Sequence, residues 1–258
     1  MCKASIGLYT FVHVIAANSE RNSYMDWEGI FGNLSPASFF NFSFMGEYGK
    51  YIFQALGYTL LLAVVSVALA ILPALLLAIM RLSKNKLIKG ISGAYIAAFR
   101  STPLLVQLFF LYFALPRIGI RIPAEVCGWV GLGLIGGAYM TETFRSGLDS
   151  IARIQTESAA SLGMTRFQIF RYVVLPQALA SSIPGILANI IFLLKETSVF
   201  STISLMDLMF TAKDLIGMYA KTLECLTLLV IFYLIMLLPV SVAGSIIERR
   251  LRYAEFGN

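Results

Sequence analysis

Residues 157–176 read ESAASLGMTRFQIFRYVVLP. This is the only long run that is polar and helix-patterned while lying between strongly apolar segments. Gly163 predicts a helix stop, because glycine is the usual residue where the chain takes positive φ just past a helix. Thr165-Arg166-Phe167-Gln168 then predicts a capping box that opens a second helix. Phe167, Phe170 and Val174 fall at i, i+3 and i+7, one apolar face, with Arg166, Gln168 and Arg171 off it. The residue before Pro176 is biased away from the helical region, so the second helix should end near there. Two short helices with a fixed bend have the shape of a docking element.

The flanks of this stretch set the class. Of 258 residues, 58% are hydrophobic and 13% are charged, whereas a soluble domain carries about 25% charged residues. Runs of about 20 apolar residues are long enough to span a bilayer, which makes the chain an all-α, multi-pass membrane protein. The short alternating segments of a β-barrel are not visible. The net charge of +6 sits in short loops beside the apolar runs, as positive-inside bias places it, and does not point to nucleic acid. Cys2, Cys127 and Cys225 lie far apart and fit no metal spacing. His13 is the only histidine, so histidine metal clusters and triads are excluded within the chain. An integral-membrane enzyme lacks support, since the loop around 157–176 has no His, Cys or paired carboxylates for acid–base work.

Five spans account for the apolar runs: about 53–80, 91–115, 126–145, 183–204 and 222–246. The first ends in Arg81, Lys84, Lys86 and Lys89 without an acid and the last in Glu248, Arg249, Arg250 and Arg252, so both ends are expected in the cytoplasm. The N-terminus is then outside and the C-terminus inside. Arg153, Arg166 and Arg171 agree with a cytoplasmic side for the loop of about 147–182. Arg100 lies in the second span and Pro103 should kink it. In the third, Gly133, Gly137 and Thr141 share a small-residue face that suits close helix approach, either to a second subunit or to this chain's own neighbours. Glu142 and Arg145, at i and i+3, can pair locally. Lys195 and Glu196 are adjacent, point about 100° apart, and should find partners on other helices, with Glu142 and Arg145 as candidates. Residues 1–50 form an extracytoplasmic or interfacial segment. Within it, Ile6–Ala17 is too short to span and reads as amphipathic or re-entrant, with Lys3 ahead and Ala16-Ala17 behind in a signal-peptide-like pattern. Residues 51–250 form the transmembrane domain, and 251–258 a cytoplasmic tail.

Glu157-Ser-Ala159, Gly163 and then Val173-x-Leu175-Pro176 after nine residues resembles the "EAA" signature of ABC importer permeases. Ser158 and Val173 depart mildly from its middle Ala and its Ile. Phe99-Arg100-Ser-Thr-Pro103-Leu-Leu-Val-Gln107 resembles the RGTPLLVQ segment of the polar amino-acid branch of that family. Tyr139-Met-Thr-Glu142-Thr-Phe-Arg145-Ser-Gly147-Leu is similar to its AYxAExxRGGL segment, and Lys195-Glu196-Thr-Ser198 to its KDTSL segment. Ser101 and Ser146 stand where glycine is usual. The resemblance covers about Gly46 to Phe256 and leaves the first 45 residues outside.

The resemblance implies a transmembrane subunit of an ATP-driven importer for polar amino acids in the cell membrane of a prokaryote. Its partners would be two copies of an ABC ATPase, a second permease, identical or paralogous, and an extracytoplasmic amino-acid-binding protein. The chain has no G-x-x-x-x-G-K-[ST] loop, so no cofactor is expected here, and ATP and magnesium belong to the partner. The ATPase-coupling residues implied are Glu157, Ala159, Leu162, Gly163, Met164 and Pro176. Leu162 and Met164 suit either an apolar groove on the partner or a local core. Glu142, Arg145, Lys195, Glu196 and Ser198 are candidates for the translocation path or for an intramembrane network. The alternative is an ion-coupled secondary amino-acid transporter working without an ATPase, with Glu142 and Glu196 as coupling carboxylates.

Overall fold

The computed structural model describes residues 42–83 and 85–256. The readings of Cys2, His13 and Ile6–Ala17 lie outside that range. One compact unit begins at Met45, and of the unit before it only the first residues of a helix are described. Among the described residues there is no strand. The helices are α1 (Phe42–Leu82), α2 (Lys86–Ser101), α3 (Leu104–Phe109), α4 (Ala124–Asp149), α5 (Arg153–Ser161), α6 (Arg166–Ile169), α7 (Leu175–Glu196), α8 (Leu208–Tyr219) and α9 (Thr222–Phe256).

Among the described residues, three continuous helical stretches are long and apolar enough to cross a membrane: Ser43–Arg81, Arg166–Ile203 and Thr222–Arg250. The expected second span is not one rod. Its halves, Lys86–Ser101 and Leu104–Ile118, meet at 99°. Thr102 is extended (φ −107°, ψ 126°) because the Pro103 ring clashes with a helical predecessor. Two of the carbonyls that this break strands are satisfied by one side chain. Gln107 Nε2 donates to Phe99 O at 3.1 Å and to Thr102 O at 2.9 Å.

The expected third span, α4, is a 26-residue helix with 13 residues buried. It falls outside the group of strongly apolar helices because glycine, with no side chain, dilutes its hydropathy. A helix packed on by its own chain does not need the apolar surface that lipid demands. Its Gly133–Gly137–Thr141 face settles against α1, not against a second subunit. A Cβ on Gly137 would sit 3.4 Å from Pro73, and Thr141 Oγ1 donates to Gly137 O at 2.7 Å and to Ala74 O at 3.3 Å. Leu62, Ala70, Leu104, Leu108, Leu193 and Phe200 complete the core around α4. Polar side chains tie the other helices together, as expected where lipid offers no hydrogen bonds. Ser92 Oγ donates to Leu77 O at 3.1 Å, Tyr95 Oη to Leu134 O at 2.8 Å, and Asn189 Nδ2 to Thr143 Oγ1 at 2.8 Å.

The helix after the bend does not end at Pro176, as the proline predicted, but runs unbroken from Arg166 to Ile203. Leu175 is helical (φ −61°, ψ −46°) because a π turn, Phe170–Val174, precedes it, closed by the Leu175 amide on Phe170 O. The wider i→i+5 turn relieves the clash that proline causes in a regular helix. The same device occurs before Pro116, where Phe110–Ala114 is a π turn closed by the Leu115 amide on Phe110 O. Both segments read Phe-x-Tyr-x-x-Leu-Pro.

Candidate functional site

The bend between α5 and α6 is built by local chemistry alone. Helix α5 ends in a Schellman motif: the Gly163 amide donates to Ala160 O at 3.0 Å and the Met164 amide to Ala159 O at 3.3 Å. Gly163 stands at φ +78°, as the sequence predicts. The capping box is also formed. Gln168 Oε1 accepts from the Thr165 amide at 2.8 Å, and Thr165 Oγ1 accepts from the Gln168 amide at 3.4 Å. Only two residues, Gly163 and Met164, separate one helix cap from the next, so the angle between α5 and α6 is fixed by hydrogen bonds on both sides.

The bend exposes several apolar side chains and one carboxylate. Leu162 is 83% exposed, Phe167 75% and Ile154 65%, which is unusual for side chains of this size outside an interface. Ala159 is 5% exposed and anchors α5 inward. Met164 is half-buried and Pro176 exposed. Glu157 is exposed, and among the described residues no hydrogen bond or ion pair holds its carboxylate. The expected single apolar face of Phe167, Phe170 and Val174 is split. Phe167 faces out, whereas Phe170 lines an apolar cavity of about 160 Å3 with Leu75, Phe144 and Leu179.

Two contacts tie together the membrane helices that flank the bend. At Gly147 α4 touches α7: a Cβ there would lie 2.5 Å from the Ala178 carbonyl oxygen and against the Ser182 hydroxyl. Beside it runs an ion chain. Glu142 accepts from Arg145 at 2.8 Å, as the i, i+3 spacing predicts, and from Arg81 of α1 at 3.4 Å, while Arg145 also pairs with Asp149 at 2.6 Å.

Lys195 and Glu196 do not join that chain, contrary to the sequence expectation. Gly147 packs on Ser182 and Gly136 on Leu193, so α4 and α7 run antiparallel with Glu142 level with about residue 187. Lys195 lies two turns farther along, roughly 12 Å at 1.5 Å per residue. Among the described residues neither Lys195 nor Glu196 forms an ion pair; Lys195 is exposed, and Glu196 and Ser198 are half-buried. Near that level a further cation has no acidic partner among the described residues. The Arg100 guanidinium lies 4.9 Å from the ring centroid of Tyr139, which packs on Phe192 at 5.0 Å.

Sequence reasoning missed Asp207. It is fully buried at the start of α8, where Oδ1 accepts from the Phe210 amide at 2.8 Å and Oδ2 has no hydrogen-bond partner. The adjacent Leu208 amide donates to Thr59 Oγ1 of α1 at 2.9 Å. Burial pushes the Asp207 carboxyl up from 3.8 to about 7, against the lowering pull of backbone amides and Lys213. The folded chain thus holds this proton more tightly than the unfolded chain does. Stability from the site is complete below 3.8 and is lost as pH rises toward about 7. The thermal midpoint in detergent should fall over that interval, and Asp207→Asn, which keeps a capping oxygen, should remove most of the fall. An unchanged slope in the variant would contradict the assignment. An N-cap-like Ser-Leu-Met-Asp207-Leu segment is visible in sequence, but its burial is not.

Comparison with known proteins bears on all of these segments at once. Residues 70–253, which include all four quoted segments, match the family described as binding-protein-dependent transport system inner membrane component. The chain is 34% identical over 201 residues to the probable amino-acid permease protein YxeN of Bacillus subtilis (strain 168), covering 77% of this chain and 90% of that one. It is 30% identical over 194 residues to the probable glutamine ABC transporter permease protein GlnM of the same organism, covering 75% and 90%. Among solved structures, an amino acid ABC transporter crystallised with histidines superposes with a TM-score of 0.78 at 34% identity, covering 82% of this chain and 99% of that one. The MetNI methionine ABC transporter in an inward-facing form shares the fold, with a TM-score of 0.61 at 19% identity over 78% and 94% of the two chains. This chain belongs to the binding-protein-dependent transport system inner membrane component family.

Proposed function

We propose that the chain is the membrane-spanning permease subunit of an ATP-driven importer for polar amino acids. It forms the translocation path and couples to a separate ATPase through Glu157–Pro176. The observation that carries this reading is the doubly capped bend with Leu162 and Phe167 exposed on it. A rigid element presenting apolar side chains on a short polar loop suits a groove on a partner. The bend runs on into α7 through the unbroken helix Arg166–Ile203, and Gly147 and the Arg81–Glu142–Arg145 chain tie α7, α4 and α1 together, so motion imposed on the bend reaches the helices that frame the path. The bend side is cytoplasmic, following Arg81, Lys86, Lys89, Arg153 and Arg171. Counting α2–α3 as one broken crossing and α4 as another gives five crossings, with the N-terminus outside and the C-terminus inside.

The partners are two copies of the ATPase, which bind ATP and magnesium, a second permease, identical or paralogous, and an extracytoplasmic amino-acid-binding protein. The assembly sits in the cell membrane of a prokaryote. Lys195, Glu196 and Ser198, joined by Arg100 over Tyr139, stand level with the middle of α4 and carry both signs of charge, as a zwitterionic solute requires. An ion-coupled transporter working alone would need Glu142 and Glu196 to take up ions or protons, and Glu142 is already held by two arginines. Reconstitution into proteoliposomes separates the two readings. ATP-dependent amino-acid uptake should require the ATPase and the binding protein. Uptake by the lone chain driven by an ion gradient would overturn the proposal.

A further inference from the structure

At the end of the bundle opposite the bend, α1, the start of α4 and α8 with the segment leading into it line an open cavity of about 580 Å3. Its walls carry two phenol rings, Tyr51 and Tyr58, and two carboxylates, Glu125 and Asp214, with Gln54 and Thr211 between them. No lysine or arginine lines it. Tyr58 Oη donates to Glu125 Oε1 at 3.4 Å, which orients that carboxylate without neutralising it. Among the described residues neither Glu125 nor Asp214 has an ion pair. Next in the chain after Leu205 and Met206 of the wall is Asp207, fully buried, with Oδ2 unpartnered. Lys213, which acts on Asp207 from α8, is exposed and stands outside the lining.

The chemistry selects its ligand by elimination. Anions are repelled by the two wall carboxylates. A hard divalent ion needs six or more oxygen ligands, often with several carboxylates among them, and among the described residues no cluster of three or more such ligand side chains exists. Carboxylates beside aromatic faces suit a delocalised or alkylated cation, which the rings attract and the acids neutralise. We propose that this cavity binds a small organic cation bearing a guanidinium or alkylammonium group.

This goes beyond the transport reading and does not depend on it, because binding needs neither ATP nor a partner. The test is calorimetric titration of the full chain in phosphatidylcholine nanodiscs with agmatine, using uncharged butylurea as the matched control. Agmatine should bind saturably and butylurea at least tenfold more weakly, with affinity falling as salt rises. Asp214→Asn should weaken agmatine at least fivefold, and Glu125→Gln with Asp214→Asn at least tenfold. Asp214 is exposed and the structure gives its side chain no hydrogen bond, so the single variant tests the site without disturbing the fold. Absence of saturable agmatine binding, equal binding of butylurea, or unchanged affinity in Asp214→Asn and the double variant would each overturn the proposal. Any of these results would leave ATP-driven uptake as a separate question.

Discussion

Replacing Gly163 with valine should cut stimulation of the partner ATPase by the binding protein about tenfold or more while leaving the chain in the membrane at its normal level. The argument is one of backbone conformation only. Gly163 sits at φ +78°, and a Cβ placed there meets nothing within 4 Å. Valine would therefore fit the space but not the dihedral. A left-handed residue costs roughly 1–2 kcal/mol, and a branched side chain is a worse case. That is about a tenfold bias against the bent form, and it falls on the two-residue link that sets the angle between α5 and α6. Because Gly163 touches no membrane helix, insertion and melting of the bundle should be unaffected. Asparagine tolerates the left-handed region, so Gly163→Asn should keep activity within about threefold. Full stimulation in the valine variant would remove the bend from the coupling account. Equal loss in both variants would mean that the side chain, not the angle, is what matters.

Gly147→Ala should produce the largest loss of stability of any single added methyl among the described glycines. Its Cβ would lie 2.5 Å from the Ala178 carbonyl oxygen, a backbone atom that cannot rotate away. Helices α4 and α7 would have to separate, which also disturbs the Asn189–Thr143 bond one turn further along. Overpacking of this kind costs about 1–3 kcal/mol, and the upper end is expected here. A clear drop in the thermal midpoint in detergent should be the readout. Adding Ser182→Gly removes the hydroxyl in the way but not the carbonyl, so rescue should be partial. An unshifted midpoint in Gly147→Ala would show that the helices are not in contact there.

What the sequence made legible follows from the range of each interaction. Gly163, Thr165 and Gln168 act on neighbours within a few residues, and the caps read from them are the caps observed. Glu142 and Arg145 are one helical turn apart, and their pair was likewise readable. Pro176 misled because its local bias against helix is overridden by a π turn, and no short-range rule announces that turn. The GxxxG face of α4 fits two partners equally well in sequence, and only the placement of Ala70, Pro73 and Ala74 chooses α1. Lys195 and Glu196 were assigned the wrong partners because the register of α7 on α4 is set by the contacts of Gly136 and Gly147, not by the charges. The structural roles of Asp207 and Gln107 are likewise not written in their local sequence. Their roles arise from burial against α1 in one case and from a chain break at Pro103 in the other.

The central claim is that the exposed apolar side chains of the bend hold the ATPase. Affinity purification of the tagged permease co-expressed with its ATPase tests it most directly, comparing wild type with Leu162→Asp combined with Phe167→Asp. Both positions are exposed, so the double variant should reach the membrane and melt like wild type. Retained ATPase should fall at least tenfold, and ATP-driven uptake should fall with it. Wild-type retention of the ATPase together with wild-type uptake would contradict the account.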